Sequence, residues 1–316
     1  MRYRRFVIVG ASGFVGRYVV KHLAAEGAVI AAVSRMATAA GFLRPMGDVG
    51  QIALIDASIA DRDRLAPLLD GADAVINATG ILYERGAQRF RTLHETGPAG
   101  LATLAAAVGV RRFVHVSAIG ADPASPALYG RSKAAGEAAV RAAFPAATIL
   151  RPSLIFGPED LFFNRFAAIA RVSPVLPLIG GGRTRFAPVF VGDVAAAVAA
   201  VLDRDDAPGQ TYELGGPNVE TLRALFELIL RETNRRRLLL PVPFGLAMVP
   251  ALFMELMPRP LLTRDQVRML RRDAVPAGDL PGLAALGIEP TALDLIVPTY
   301  LDRFRRGGRA AGVHAV

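Results

Sequence analysis

The chain has 316 residues, 52% of them hydrophobic and 21% charged, which indicates a folded protein of one large or two modest domains and excludes a disordered class. It contains no cysteine, which excludes disulfides, thiolate zinc sites and Cys-ligated clusters, and its four scattered histidines (His22, His94, His115, His314) make no metal-ligand spacing. The net charge is +9, but the arginines are dispersed and no aromatic-interleaved basic stripe occurs, so no nucleic-acid partner is expected.

The first apolar run begins at Phe6, so no secretory signal is expected. "FVIV" (6–9) predicts a strand and Phe14 to Ala25 a helix. Strands are predicted at 28–33 and 52–56, with a short helix near 37–43 between them. Asp61 can cap the helix "DRDRLAPLL". A strand follows at 74–78, then a long helix over 88–108 with a break at Gly97-Pro98. Residues 112–117 predict a strand, 129–143 a helix and 147–153 a sixth strand. Continuous apolar strands separated by helices predict an α/β fold, a doubly wound parallel sheet covered on both faces.

After Pro152 proline and glycine become frequent. A short strand is predicted at 188–191, a helix from Asp193, a strand at 210–216 and a helix over 220–233, with helical pieces between prolines thereafter. We expect a nucleotide-binding domain over 1–155, with late sheet elements near 186–215. A smaller, mostly helical domain is expected over 156–185 and 216–316. The most apolar stretch, 243–258, is shorter than the ~20 residues a spanning helix needs and is interrupted by Pro250 and Glu255. Its alternatives are a buried helix or a surface that meets a partner or a membrane.

"VIVGASGFVGRYVV" sets Gly10, Gly13 and Gly16 directly between a predicted strand and a predicted helix. Glycines allow a tight turn and close approach to a pyrophosphate, and the free amides and helix dipole attract the anion. Ser12 and Phe14 belong to the same loop. The second strand ends "AAVSRM": Ser34 and Arg35 stand where NAD-specific sites place a carboxylate. An acid would repel a 2′-phosphate, whereas Arg pairs with it, so NADP(H) is the expected cofactor. Asp56, ending the third strand, can accept from the adenine amino group. Ala78, Thr79 and Gly80 of "NATG" lie beside the expected cofactor path.

The chain has only two lysines, Lys21 and Lys133, against 35 arginines. Lys133 follows Tyr129 by four residues in "YGRSK", so the two share one face of a helix. Ser117 ends the preceding strand; Ser125 is its rival for the serine role. A phenol near pKa ~10 relays protons poorly at pH 7 unless a cation stabilises the phenolate.

This order resembles the short-chain dehydrogenases/reductases. The resemblance implies that Tyr129 is the acid–base, that Lys133 holds the ribose and lowers the Tyr129 pKa, and that Ser117 binds the substrate oxygen. It also implies that "RPSLIFGP" (151–158), which includes Pro152, lies along the nicotinamide. The chain departs from the extended branch at Val9, where many members have Thr. No evident Asn completes the relay; His94 or Glu95 falls near its place. "GASGFVGRYVVKHL", "RFVHVSAIGAD", "YGRSKAAGE", "PVFVGDVAAAV" and "LLTRDQVRMLRRD" together resemble one atypical branch, the NADPH-binding accessory subunit of respiratory complex I. This resemblance covers about residues 5–305. It implies a mainly structural NADP(H), other complex I subunits as partners, and a peripheral place on the cytoplasmic or matrix face of the inner membrane. The alternatives are a free NADPH-dependent reductase, epimerase or dehydratase using Ser117, Tyr129 and Lys133, and a cofactor-sensing regulator of the same fold.

Overall fold

The computed structural model describes residues 3–258 and 260–306. The chain divides into two compact units, the first built from residues 1–152, 191–214 and 277–289. Its elements are β1 (Arg5–Val9), α1 (Phe14–Ala25), β2 (Val29–Ser34), β3 (Ile52–Asp56), α2 (Arg62–Leu69), β4 (Ala74–Asn77), α3 (Gly97–Ala107), β5 (Arg112–Val116), α4 (Leu128–Ala143) and β6 (Thr148–Pro152). The helix Val191–Asp203 and the strand Thr211–Leu214 follow.

The sheet has seven strands, all parallel, in the order Thr211–Leu214, β6, β5, β4, β1, β2, β3. β1 therefore lies between β2 and β4, and the winding reverses there. In open α/β sheets the ligand crevice opens outside the carboxyl ends of the strands at this switch point. Apolar residues dominate β1 to β6, with polar residues mainly at strand ends, as a sheet covered on both faces requires. One face buries Leu65, Leu101, Phe113 and Val140. On α1, Gly16, Val19, Val20, Leu23 and Ala24 form a single buried stripe. Asp61 caps α2 by accepting from the Arg64 amide at 3.3 Å.

The helical stretch predicted over 88–108 changes element at the predicted break, Gly97-Pro98. Arg91–Thr96 is a π-helical turn and α3 begins at Gly97. Pro98 has no N–H to offer the His94 carbonyl, and the Gly97 amide bonds to Thr92 O instead. The His94 carbonyl then lies against Gly136 of α4, where a Cβ would sit 1.8 Å from it.

Segment 277–289 returns to this unit at the far edge of the sheet, which the sequence reading did not anticipate. Glu213 holds it: its amide donates to Pro281 O and its carboxylate accepts from the Ala277 amide at 2.7 Å. Beside it, Arg151 makes two bonds to Glu137, at 2.9 and 2.6 Å, and Glu137 is only 2% exposed. Arg151→Met leaves that carboxylate, among the described residues, with Arg141 at 3.8 Å and the charge of Lys133 one turn back on α4. Breaking a buried pair costs about 3–5 kcal/mol, and the partial exposure of Arg151 reduces this to about 2–3. The urea midpoint is expected to fall with an unchanged slope, and Arg151→Met with Glu137→Leu to recover part of the loss.

The second unit comprises 153–190, 215–276 and the segment from Pro290 onward. The end of the expected smaller domain, 307–316, lies outside the described residues, as does Arg259. This unit is mostly helical and packs around Phe156, Phe163 and Phe226. The Tyr300 hydroxyl donates to Asp160 at 2.6 Å. Leu238–Val242 forms a strand, parallel to Val175–Ile179, where only helical pieces were predicted. Pro241 and Pro243 deny a helix here, and a two-stranded pair tolerates them.

Helix Phe244–Met254 buries only Ala247 and Ala251. Leu246, Val249 and Phe253 are exposed, as are Leu256 and Met257 beyond it. No helix among the described residues is long and apolar enough to cross a membrane.

Candidate functional site

A cavity of about 600 Å³ opens at the carboxyl ends of β1, β2 and β4, at the switch point. Gly10, Ser12, Gly13, Ser34, Arg35, Ala78, Thr79 and Gly80 line it, together with Met36, Phe42, Ile81 and Gln88. No carboxylate is among the lining residues.

The glycine loop is shaped by close approach. Gly10 has φ +86° and passes so near β4 that a Cβ would sit 2.9 Å from Ala78 C and O. A Cβ on Gly16 would sit 2.2 Å from Gly10 O. The Gly10 and Ala11 amides both donate to Val33 O at 3.1 Å, fastening the loop to β2. Gly13 occupies the N-cap of α1, so no side chain caps this helix. An N-terminus with no side-chain cap, begun by a cavity-lining glycine, is the form in which a helix receives a phosphate. Phe14 and Gly16 shape this turn but do not line the cavity.

Ser12 Oγ and Ser34 Oγ lie 2.7 Å apart. One proton serves that bond and the other remains for an acceptor in the cavity. Arg35 is exposed at the end of β2. Asp56 stands level with Ser34 on β3 and is exposed, but it is not on the lining; its carbonyl accepts from Arg64 at 2.9 Å.

A polar cluster lies beneath the loop after β4. Lys133 is 3% exposed and donates to Val116 O at 3.2 Å. A Cβ on Gly80 would stand 3.5 Å from Lys133 Nζ and 3.9 Å from His94 Nε2, so both side chains underlie Gly80. The Ile81 amide donates to His94 Nε2 at 3.1 Å. Ser132 Oγ donates to Tyr129 O and lies 2.8 Å from His94 Nδ1, so His94 carries its proton on Nδ1. Glu95, the other sequence candidate, is partly exposed on the same turn.

Tyr129 packs edge-on against His94 and Phe90, with ring centroids at 5.6 and 6.1 Å. Ser117 Oγ and Thr79 Oγ1 are buried without a hydrogen-bond partner among the described residues. Ser125, the rival serine, accepts instead from the Ala127 amide at 3.3 Å and lies against Gly130. Pro152 ends β6, where its carbonyl accepts from the Ile119 amide at 3.0 Å, and is not on the lining.

Burial dominates the electrostatics of this cluster. It pulls Lys133 from 10.5 down to about 8, opposed by the Glu137 charge one turn along α4. Burial, then the Lys133 and His115 charges, pull His94 down to about 2, so it is neutral at physiological pH. His115, bonded to Asn77 at 2.9 Å, falls to about 3 for the same first cause. Burial pushes the Tyr129 phenol up to about 12. This direction is opposite to the lowered Tyr129 pKa that the resemblance implies; it comes from desolvation, and the described hydrogen bond of the Lys133 ammonium is to Val116 O.

The residues fit a nicotinamide dinucleotide. The glycine cradle excludes any Cβ, the helix N-terminus is uncapped, and two buried hydroxyls await acceptors. The group supplies hydride chemistry when bound. The glycine loop and the Gly13 end of α1 would hold its diphosphate, and Thr79 and Ser117 carry the buried hydroxyls that would face it.

Residues 6–215 match the NAD dependent epimerase/dehydratase family, and the chain belongs to that family. It is 37% identical over 301 residues to NADH dehydrogenase (ubiquinone) 1 alpha subcomplex subunit 9, mitochondrial, of Rattus norvegicus, across 94% of this chain and 80% of that protein. The Arabidopsis thaliana protein of the same name is 36% identical over 314 residues, across 95% of this chain and 78% of its own. Among solved structures, the epimerase Mth375 of Methanothermobacter thermautotrophicus shares the fold. Its TM-score is 0.76 at 17% identity, over 96% of this chain and 92% of its own.

Sequence reasoning missed Arg17 and Phe42. Arg17 donates to Ser12 O at 3.1 Å and Gly13 O at 3.3 Å and stacks on Phe42, whose ring is 4.7 Å away. A signal existed: side chains on a first helical turn lean back toward the N-terminus, here toward the loop.

Proposed function

We propose that this chain is an accessory subunit of a respiratory NADH:quinone oxidoreductase, complex I, in which a resident NADP(H) supports structure. The carrying observation is the length of the similarity: it runs through 301 residues and so well past residue 215, where the family match ends. A general reductase needs no such shared C-terminal part.

His94 has both ring nitrogens engaged, by the Ile81 amide and by Ser132, so it is not placed to relay a proton. Arg35, and the absence of a lining carboxylate, favour the 2′-phosphate of NADP(H). The chain is peripheral, on the cytoplasmic or matrix face of the membrane. Its partners are other complex I subunits, and the exposed apolar helix Phe244–Met254 meets one of them or the edge of an anionic bilayer.

The intact Ser117, Tyr129 and Lys133 trio sustains one second reading, a free NADPH-dependent reductase. Native purification separates the two. The expected result is co-migration with a membrane-bound NADH:quinone oxidoreductase and about one slowly exchanging NADP(H) per chain by mass spectrometry. A free chain that oxidises NADPH rapidly with a carbonyl substrate, and loses this in Tyr129→Phe, overturns the proposal.

A further inference from the structure

The corner of the cavity formed by Ser12 and Ser34 is approached by two guanidinium groups. Arg35 comes from the end of β2 and is exposed. Arg17 comes from α1 and is fixed: its Nη2 and Nε donate to the carbonyls of Ser12 and Gly13, and its plane rests on Phe42. Ser12 and Phe42 both line the cavity. Arg17 thus braces the glycine loop on one side and the segment Thr38–Met46 on the other, and it is bonded to the backbone of Ser12, whose hydroxyl meets that of Ser34.

We propose that Arg17 is a second specificity-determining residue for the adenosine 2′-phosphate, acting with Arg35. This rests on the NADP(H) reading above.

The physical case is pre-organisation. A guanidinium on a mobile exposed side chain loses rotamer freedom when it binds, whereas one held by two carbonyls and an aromatic face has already lost it. Stacking on Phe42 also removes water from one face of the ion, which strengthens its attraction to a phosphate dianion. The hydroxyl pair has one proton to give the same group. With no carboxylate on the lining, nothing acidic in the cavity wall opposes a third phosphoryl group. A 2′-hydroxyl would gain little from either arginine, so both should discriminate between NADP(H) and NAD(H).

The test compares wild type, Arg17→Met, Arg17→Lys and Arg35→Met. Two readouts are used: the nucleotide retained through purification, and the affinities for 2′,5′-ADP and 5′-AMP by calorimetry. Wild type should favour 2′,5′-ADP. Arg17→Met should weaken 2′,5′-ADP at least about tenfold, with 5′-AMP changed less than about threefold, and Arg17→Lys should recover part of the difference. The 5′-AMP affinity reports that the loop still folds. Equal losses for both ligands would make Arg17 a brace of the loop alone and overturn the inference, as would no change for either. A wild type without preference for 2′,5′-ADP would overturn the NADP(H) reading itself.

Discussion

Gly16→Ala is expected to yield a chain that purifies without nicotinamide nucleotide and melts well below wild type. The added methyl group would lie 2.2 Å from Gly10 O and 2.8 Å from the Ala11 Cα, both backbone atoms. No side chain can swing aside to relieve the clash, so the loop or α1 must move. The loop cannot move freely, because the Gly10 and Ala11 amides are bonded to Val33 O and Gly10 is wedged against Ala78. Overpacking of this kind costs about 1–3 kcal/mol in the folded chain.

The larger part of the effect comes through the ligand. A nucleotide present at a thousand times its dissociation constant stabilises the fold by ~4 kcal/mol, and a displaced phosphate cradle forfeits this. Together these lower the midpoint by roughly 10 °C or more in a chain of this size. Gly245→Ala is the control: a Cβ there meets nothing within 4 Å, and its midpoint should be unchanged. Calorimetry of both variants with and without added NADPH separates the two contributions. A Gly16→Ala protein that retains nucleotide and wild-type stability would refute the cradle.

Much of the sheet unit was legible because its signals are local. The boundaries of α1 follow from a glycine loop at one end and an apolar stripe that stops at Ala25. β1 to β6 follow from apolar runs too short for helices. Of the cavity lining, Gly10, Ser12, Gly13, Ser34, Arg35, Ala78, Thr79 and Gly80 were legible for the same reason, since they lie at or just past the carboxyl ends of β1, β2 and β4, which the winding order brings together. What escaped depends on partners distant in sequence. Strand Leu238–Val242 exists because Val175–Ile179 lies beside it, more than 60 residues earlier. Segment 277–289 returns to the sheet because Glu213 offers it an amide and a carboxylate.

The electrostatics of the Tyr129–Lys133 pair escaped for a different reason. Spacing shows that two side chains share a face, but it does not show how dry that face is, and dryness sets both pKa values here. His94 shows the same limit. The sequence named it, with Glu95, only as one of two candidates, and its Nδ1 proton depends on Ser132 and on Ile81, which spacing does not show.

That dryness makes Lys133→Met a two-sided experiment. Burial lowers the Lys133 pKa from 10.5 to about 8 in the folded chain without nucleotide. Between these values the unfolded chain binds more protons than the folded one, so stability rises with pH across this window. Below about pH 8 the penalty of holding an ammonium in a dry site is fully present, and it amounts to about 3 kcal/mol. Lys133→Met removes it and fills nearly the same space. The nucleotide-free variant is therefore expected to be more stable than nucleotide-free wild type by about 2–3 kcal/mol at pH 7, and to lose the rise in stability between pH 8 and 10.

Affinity should move the other way. A charged donor reaching ribose hydroxyls contributes about 1.5–3 kcal/mol per hydrogen bond, so NADPH binding is expected to weaken about a hundredfold. The site would then be a place where stability is surrendered so that a ligand can restore it. Denaturant titrations at pH 7 and pH 10, with and without NADPH, measure both arms. A nucleotide-free Lys133→Met protein less stable than wild type at pH 7 would mean that the ammonium holds the fold through Val116 and Glu137 rather than waiting for a nucleotide.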